Sequence, residues 1–272
     1  MYLLIQVSQS ILKTISLLLA ALVAGASLQA QTFAPAPTEA TTDSWVFTSA
    51  FASQYMFRGA RRGGPSLQPT LEYDYGSLAV SVWGNIPLKD KVVGQSDPEL
   101  DFSGSYTVEI AKDLTVAPGV TIYTYPNANK ANGFYQLTFE PNIAVNYVVG
   151  GVKLTPILYY DFVRKGPTAE LTAAFAIPLK DAGTELDFTA TYGTFKWKSA
   201  AADTSPDIKN WGDYFFIGVA APFQISKDSK LTVGWAYTKG SNNFLKQGTD
   251  GKVPNSAAVG RGVLTISYAF TF

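Results

Sequence analysis

The sequence contains no cysteine and no histidine. Without cysteine, the chain cannot form a disulfide and has no thiolate for catalysis or metal binding. Without histidine, it lacks the commonest general base and the commonest metal ligand. A hydrolase built on a Ser–His pair is therefore excluded, and no carboxylate pair stands out as an alternative acid and base. We expect no enzyme, no cofactor and no metal centre.

Charged residues are also scarce. They form 15% of the 272 residues, against about 25% in an average protein. The 21 basic and 21 acidic residues balance, and no run of one sign stands out, so no nucleic-acid partner is expected. Aromatic residues reach 14%, yet the mean hydropathy is only +0.07. This composition is unusual for a soluble domain and too polar for a bundle of membrane helices.

The N-terminal segment has the parts of a secretory signal peptide. Lys13 precedes an apolar run from Ile15 to Val23, which is too short to span a bilayer as a helix. Small residues follow, with candidate cleavage sites after Ala26 and Ala30. We predict a signal peptide over residues 1–30, cleaved after one of these two alanines. A membrane anchor is the alternative. Residues 31–44 are rich in Pro, Ala and Thr and predict a linker.

From Trp45 onward the hydrophobic pattern has a period of two. Between Ser66 and Tyr75, for example, every second residue is apolar and the residues between are polar. The pattern predicts about twelve strands, most of them long enough to cross a bilayer when tilted; a count of ten is the alternative. The candidate strands are 45–57, 66–75, 77–86, 99–110, 114–125, 134–147, 152–163, 168–178, 184–193, 213–222, 230–238 and 262–272.

The connections alternate between short turns and longer loops. Short turns are predicted near residues 76, 112, 150, 181 and 227, and the loops at 58–65, 87–98, 126–133, 194–212 and 239–261, with a short one at 164–167. This alternation is typical of outer-membrane barrels. We predict an all-β fold: a transmembrane antiparallel up-and-down β-barrel spanning residues 45–272. A soluble β-protein is the alternative.

The apolar face of the candidate strands carries no charge, and its aromatic residues gather near strand ends. Two aromatic girdles around an aliphatic band are typical of a surface that faces lipid. One girdle is predicted from Trp45, Phe47, Tyr73, Tyr75 and Phe270, and the other from Tyr55, Phe57, Tyr135, Tyr160, Phe162, Trp235 and Tyr237. Four prolines on this face interrupt the pattern, and we expect local bulges there. They are Pro69, Pro118, Pro141 and Pro156.

The last predicted strand has an unbroken apolar face that ends at the aromatic residue Phe272. A strand of this kind resembles the C-terminal signal that the outer-membrane assembly machinery reads. We therefore expect that machinery as a partner, together with outer-membrane lipid and lipopolysaccharide.

The first third of the barrel region resembles the TorF-type porin family of small bacterial outer-membrane proteins. The residues that carry the resemblance are Ser53-Gln54-Tyr55-Met56-Phe57-Arg58-Gly59, Gly64-Pro65-Ser66-Leu67-Gln68-Pro69, Ser81-Val82-Trp83-Gly84-Asn85, Glu99-Leu100-Asp101 and Tyr123-Thr124-Tyr125-Pro126. The resemblance implies a transport-type barrel in the outer membrane of a Gram-negative bacterium. It does not imply a particular solute.

The polar faces of the predicted strands supply the candidate pore-lining residues. Arg58, Asp101, Asp161 and Glu170 are expected near the external mouth, Glu140 and Asp187 deeper, and Glu72, Glu109, Lys153 and Glu185 near the periplasm. Trp83, Tyr123, Tyr125 and Tyr159 are expected to face inward near the external end. Carboxylates in a narrow lumen favour cations, and aromatic rings beside them suit sugars or organic cations. These side chains could instead only fill the barrel.

We therefore expect a narrow, modestly cation-selective pore for small solutes, in which Asp101, Glu140 and Asp161 matter most. Anion preference would indicate that Arg61 and Arg62 fold inward. The first alternative is a filled barrel with a structural or surface role. A barrel lipase, the second, would need the missing histidine. The acidic residues of loops 87–98 and 239–261 match no calcium-loop spacing.

Overall fold

The computed structural model describes residues 43–89, 98–128, 135–198, 209–241 and 260–272. The predicted signal peptide and nearly all of the predicted linker lie outside these residues. In the described part of the chain, no helix is long and apolar enough to cross a membrane.

Fifteen strands make up most of the described chain. They are β1 (Ser44–Ala52), β2 (Tyr55–Phe57), β3 (Ala60–Gly63), β4 (Ser66–Tyr75), β5 (Leu78–Pro87), β6 (Glu99–Tyr106), β7 (Val108–Ala111), β8 (Leu114–Thr124), β9 (Leu137–Val149), β10 (Val152–Asp161), β11 (Gly166–Leu179), β12 (Thr184–Lys198), β13 (Lys209–Ser226), β14 (Ser229–Gly240) and β15 (Arg261–Thr271).

Twelve antiparallel staves form a closed barrel, in which β6 and β7 together make one stave. Each stave pairs with its sequence neighbours, and the first and last pair with each other. The barrel therefore has no free edge, which is what a sheet in hydrocarbon requires. The predicted fold class and the count of twelve are confirmed. Among the described strands, β2 and β3 pair with each other and are not part of the barrel wall.

Residues that alternate in the sequence face alternately the outer surface and the interior of the barrel. Large apolar side chains such as Phe47, Leu71 and Leu158 are exposed on the outer surface, and Leu158 keeps 61% of its accessible area. Between them, small or polar side chains such as Ala50 and Thr121 are buried in the interior. An apolar outer surface around a polar interior is the reverse of a soluble protein and is the pattern of a membrane barrel.

Five short turns and both ends of the described barrel lie at one end, which we call the turn end. Gly150 and Gly151 form one of these turns with φ angles of 59° and 82°. A two-residue hairpin turn needs positive φ at both positions, which glycine adopts without strain. The other connections lie at the opposite end, the loop end. There β12 and β13 extend to Lys198 and Lys209, so the prediction of a loop over 194–212 was wrong by several residues on each side.

The four strand prolines keep their register, so the expected bulges are absent at these sites. Each lies where the ladder to one neighbouring strand is interrupted while the ladder to the other continues. Pro69 keeps its pairing with Ser49 but has none with β5, and Pro156 keeps Leu171 but has none with β9. Pro118 lies opposite the break between β6 and β7, and Pro141 lies where the ladder between β9 and β10 ends. Because proline has no N–H, it fits where a ladder bond is already missing.

The first predicted strand was wrong beyond Ala52. The sequence 45–57 alternates throughout, but β1 ends at Ala52, and the chain then turns away from the wall. Tyr55 and Phe57, predicted for the lipid-facing girdle, are 5% and 6% exposed. The predicted loop 58–65 also belongs to this inward segment.

Candidate functional site

A short hairpin lies inside the barrel at the loop end. Strands β2 and β3 form its arms, and Arg58 and Gly59 form its tip with φ angles of 46° and 74°. Both values are positive, as in the tight two-residue turns of β-hairpins. Glycine adopts this conformation freely, whereas an arginine there is strained. Other contacts must therefore compensate for the conformation of Arg58.

The tip of the hairpin lies against strands β13 and β14 of the wall. The Gly240 amide donates a hydrogen bond to the Gly59 carbonyl at 3.0 Å. A Cβ atom added to Gly59 would lie 2.6 Å from both the Gly240 nitrogen and the Tyr214 Cβ. Glycine is thus required at the tip for its φ angle and for the close approach.

The base of the hairpin is fixed to β15. The Ser53 amide donates to the Leu264 carbonyl at 2.9 Å, and the Leu264 amide donates to the Ser53 hydroxyl at 2.8 Å. Met56 packs with Ala52 and Val263 beside these bonds. The hairpin backbone is therefore fixed to two neighbouring strands of the wall, β15 and β14.

Arg58 joins the hairpin to two carboxylates of the wall. Its Nη1 and Nη2 donate to the two oxygens of Glu140 at 2.8 and 2.9 Å, which is a bidentate pair. Its Nε donates to Glu170 at 3.3 Å. The Arg58 side chain is 4% exposed and that of Glu140 is 1% exposed. These contacts compensate for the backbone strain of the tip.

Three tyrosines donate further hydrogen bonds to the two carboxylates. Tyr123 donates to Glu140 at 2.9 Å, and Tyr159 donates to Glu170 at 3.0 Å. Tyr214 also donates to Glu170. The Arg58 guanidinium lies 4.6 Å from the centre of the Tyr159 ring, which adds a cation–π contact. We call Arg58, Glu140, Glu170 and these tyrosines the ion cluster.

Aromatic side chains fill the space between the hairpin and the wall. The centres of the Tyr55 and Trp83 rings are 5.7 Å apart, and those of Phe57 and Tyr123 are 5.8 Å apart. Phe195 and Tyr214 belong to the same buried group, against which Tyr125 packs. Tyr55 also donates to Glu99 at 2.7 Å. The hairpin and these rings therefore occupy part of the lumen at this level.

The Asp161 side chain accepts hydrogen bonds from the short connection that follows β10. One of its oxygens accepts hydrogen bonds from the Val163 and Arg164 amides at 2.8 and 2.7 Å. Arg164 lies 3.8 Å from its other oxygen. This carboxylate holds a turn in place.

The interior toward the turn end has a different character. Small hydroxyl and amide side chains bond across the strands there, including the Thr172–Thr191 pair at 2.8 Å and the Thr155–Asn146 pair at 3.1 Å. The charged side chains at inward positions of the wall near this end are Glu72, Asp74, Glu109, Lys153, Glu185, Asp187 and Lys230. Within the described part of the chain, neither carboxylate oxygen of Asp187 accepts a hydrogen bond.

The fourteen predicted pore-lining residues separate into three groups. Arg58, Glu140, Glu170, Tyr123 and Tyr159 meet in the ion cluster, and Trp83, Asp101, Tyr125 and Asp161 lie around it. Glu72, Lys153, Glu185 and Asp187 lie toward the turn end, and Glu109 is exposed there. Arg58 projects from the hairpin and not from a wall strand.

Sequence reasoning missed several inward side chains: Tyr55, Phe57, Arg61, Arg62, Glu99, Arg164, Phe195, Tyr214 and Lys230. The alternation of β14 could have placed Lys230. The members of the hairpin could not be placed by alternation, because the hairpin leaves the wall.

The charges of the two ends differ. Among the described side chains that lie inside the barrel at the loop end, five carboxylates (Glu99, Asp101, Glu140, Asp161 and Glu170) face four arginines (Arg58, Arg61, Arg62 and Arg164). At the inward positions of the wall toward the turn end, five carboxylates face two lysines. The excess of negative charge therefore lies mainly toward the turn end.

Residues 38–156 match the model of a family described as a bacterial protein of unknown function (Gcw_chp). The match covers less than half of the chain. It overlaps the segment that resembles the TorF-type porins, but it carries another name, so that resemblance stays a prediction. A search of curated proteins finds no match.

The chain is similar in structure to an outer-membrane channel from Pseudomonas putida F1, with a TM-score of 0.51 and 12% identity over 89% of this chain and 100% of that one. It is also similar to a KdgM porin, with a TM-score of 0.49 and 11% identity over 84% of this chain and 99% of that one. At these identities the likeness concerns the fold alone, which is a closed antiparallel β-barrel like that of the Pseudomonas putida channel.

Proposed function

We propose that the protein is a narrow pore in the bacterial outer membrane for the passive passage of small solutes, with a modest preference for cations. The observation that carries the proposal is a closed barrel with an apolar outer surface and a polar, net acidic interior, narrowed by a hairpin. If the interior served only the stability of the barrel, we would expect neutral side chains there, because burying charges costs free energy.

The proposal assigns selectivity to the turn end. At the loop end the charge of the carboxylates is largely balanced by arginines, and Glu140 forms an ion pair with Arg58. At the turn end Glu72, Glu185 and Asp187 have fewer basic neighbours. An unbalanced charge in a narrow passage raises the local concentration of counter-ions. These three carboxylates should therefore affect selectivity more than Asp101, Glu140 and Asp161, which sequence reasoning favoured.

Planar-bilayer recording of the refolded protein tests this proposal. In a salt gradient, wild type should show small conductance steps and a reversal potential on the cation side. The triple variant Glu72→Gln, Glu185→Gln, Asp187→Asn should shift that potential toward zero. Asp213→Asn is the matched control, since it removes a carboxylate that bonds Tyr192 on the exposed surface. An anion preference in the wild type would contradict the proposal.

The hairpin also favours a second function, a filled barrel with a structural or surface role. The ion cluster and the aromatic group occupy the lumen at one level. Replacing residues 54–64 with a short Gly/Ser connection discriminates between the two. If only this variant conducts, the wild-type barrel is closed and the second function is favoured. If wild type conducts and the variant conducts more, the hairpin narrows an open pore.

A further inference from the structure

Asp101 is a carboxylate without a partner in the interior. It lies on β6, is 0% exposed, and neither of its oxygens accepts a hydrogen bond of normal geometry from a described residue. The Thr124 amide approaches the carboxylate but lies outside that geometry. A buried, unpaired carboxylate is unfavourable unless a cation or a proton accompanies it.

Aromatic residues flank Asp101 on both neighbouring strands. Trp83 of β5 and Tyr123 of β8 are its direct cross-strand partners. Side chains at such positions point the same way, with Cβ atoms about 5 Å apart. The hairpin brings Tyr55 against Trp83 and Phe57 against Tyr123. The carboxylate is thus surrounded by rings whose faces attract cations.

The nearby arginine cannot neutralise Asp101. Arg58 directs all three of its bonding nitrogens to Glu140 and Glu170. Glu99, on the same face of β6, and Glu140 act on Asp101 as further negative charges. The surroundings of Asp101 therefore favour an added cation.

The kind of cation follows from the side chains present. In the described part of the chain, no group of three acidic residues could hold a metal ion. One carboxylate beside aromatic faces is instead the arrangement that binds ammonium groups. We infer that Asp101, Trp83 and Tyr123 form a binding site for small ammonium ions, either primary or methylated. The inference adds small ammonium ions as a solute class to the proposed pore, and it rests on that proposed function.

Asp187 provides a matched comparison. It too is buried, at 4% exposed, and neither of its oxygens has a hydrogen-bond partner. Its cross-strand partners, however, are Ala176 and Ala220. Attraction by charge alone would act at both aspartates, whereas cation–π recognition acts only at Asp101.

The test titrates the refolded full chain in detergent with methylammonium chloride, against sodium chloride at equal ionic strength. Tryptophan fluorescence and the thermal midpoint are the two readouts. Methylammonium should give a saturable fluorescence change and a higher midpoint than sodium. The ratio of the methylammonium affinity to the sodium affinity should fall at least tenfold in Asp101→Asn. It should stay within twofold in Asp187→Asn, because removing that charge weakens the attraction of both cations alike.

Equal responses to the two salts, or equal losses in the two aspartate variants, would overturn the inference. Trp83→Phe gives a second check through the midpoint, because phenylalanine binds cations more weakly than tryptophan. Its response to methylammonium should fall severalfold while its response to sodium is unchanged; an unchanged methylammonium response would overturn the inference even if Asp101→Asn does not fold. Binding without conductance would contradict only the proposed pore, and conductance without methylammonium binding only this site.

Discussion

Arg58 is the residue whose removal should most disturb the hairpin. In Arg58→Met, Glu140 and Glu170 lose their cation while they stay buried. At 2.8 Å and an effective dielectric constant of about 20, the attraction between Arg58 and Glu140 is about 6 kcal/mol. Part of this is offset by the cost of desolvating both charges. Breaking such a pair from one side typically costs about 3–5 kcal/mol, and we expect a loss in that range.

The assay is urea unfolding of the barrel refolded in phospholipid vesicles, followed by tryptophan fluorescence. Arg261→Met is the control, because Arg261 is exposed at the start of β15 and its side chain donates to the adjacent Gly260 carbonyl. It should change the free energy of unfolding by less than about 0.5 kcal/mol.

A compensating variant makes the reasoning stricter. Arg58→Met combined with Glu140→Gln and Glu170→Gln leaves no buried charge in the ion cluster, while the glutamine oxygens can still accept the tyrosine hydrogen bonds. Most of the lost stability should return. A loss below about 1 kcal/mol in Arg58→Met, or a triple variant no more stable than the single one, would refute a buried and coupled ion cluster.

Three further outcomes are expected. Gly59→Ala should displace the hairpin tip, because its φ of 74° and the 2.6 Å approach to Gly240 leave no room; protease cleavage between residues 54 and 64 should then become faster than in Gly76→Ala, whose added Cβ meets nothing within 4 Å. Arg at Val80 should cost about 2–4 kcal/mol in unfolding titrations if that position faces mid-bilayer, and Arg at the neighbouring inward Ser81 clearly less; equal costs would show that the faces are wrongly assigned. The mature protein should fractionate with the outer membrane and change its gel mobility on boiling, whereas recovery in the soluble periplasm would contradict the proposed location.

The barrel wall could be predicted from the sequence because one physical rule governs it. A strand between lipid and a polar interior must alternate, so period two marks its position and its faces. This holds for β4, where Ser66–Tyr75 matches the predicted strand residue for residue. The strand prolines are an exception, because bulges were predicted at them, whereas each lies beside a gap in the ladder and keeps its register.

The hairpin could not be predicted in the same way. Residues 45–57 keep their alternation through Tyr55 and Phe57, although the chain leaves the wall after Ala52. An aromatic residue is equally suited to a lipid-facing girdle and to a buried aromatic group, so alternation does not distinguish them. The available signal was Arg58-Gly59, which fits a two-residue turn directly after the apolar run Tyr55–Phe57. Its partners Glu140 and Glu170 are far along the chain, and only the closed barrel brings them together.

A barrel of twelve staves is wider than one whose interior side chains can fill it. At the turn end this interior is lined by short side chains such as Thr155 and Asn146. At the loop end the same width is taken up by the hairpin, which contacts Glu99, Glu140, Glu170, Gly240 and Leu264 on five different strands. One short segment thus links wall strands that are far apart in the sequence. Because Arg58 pairs with Glu140 and Glu170, and Arg62 lies near Glu99, the carboxylates left unbalanced are Asp101 and those toward the turn end. At these positions the proposed pore would hold a passing cation.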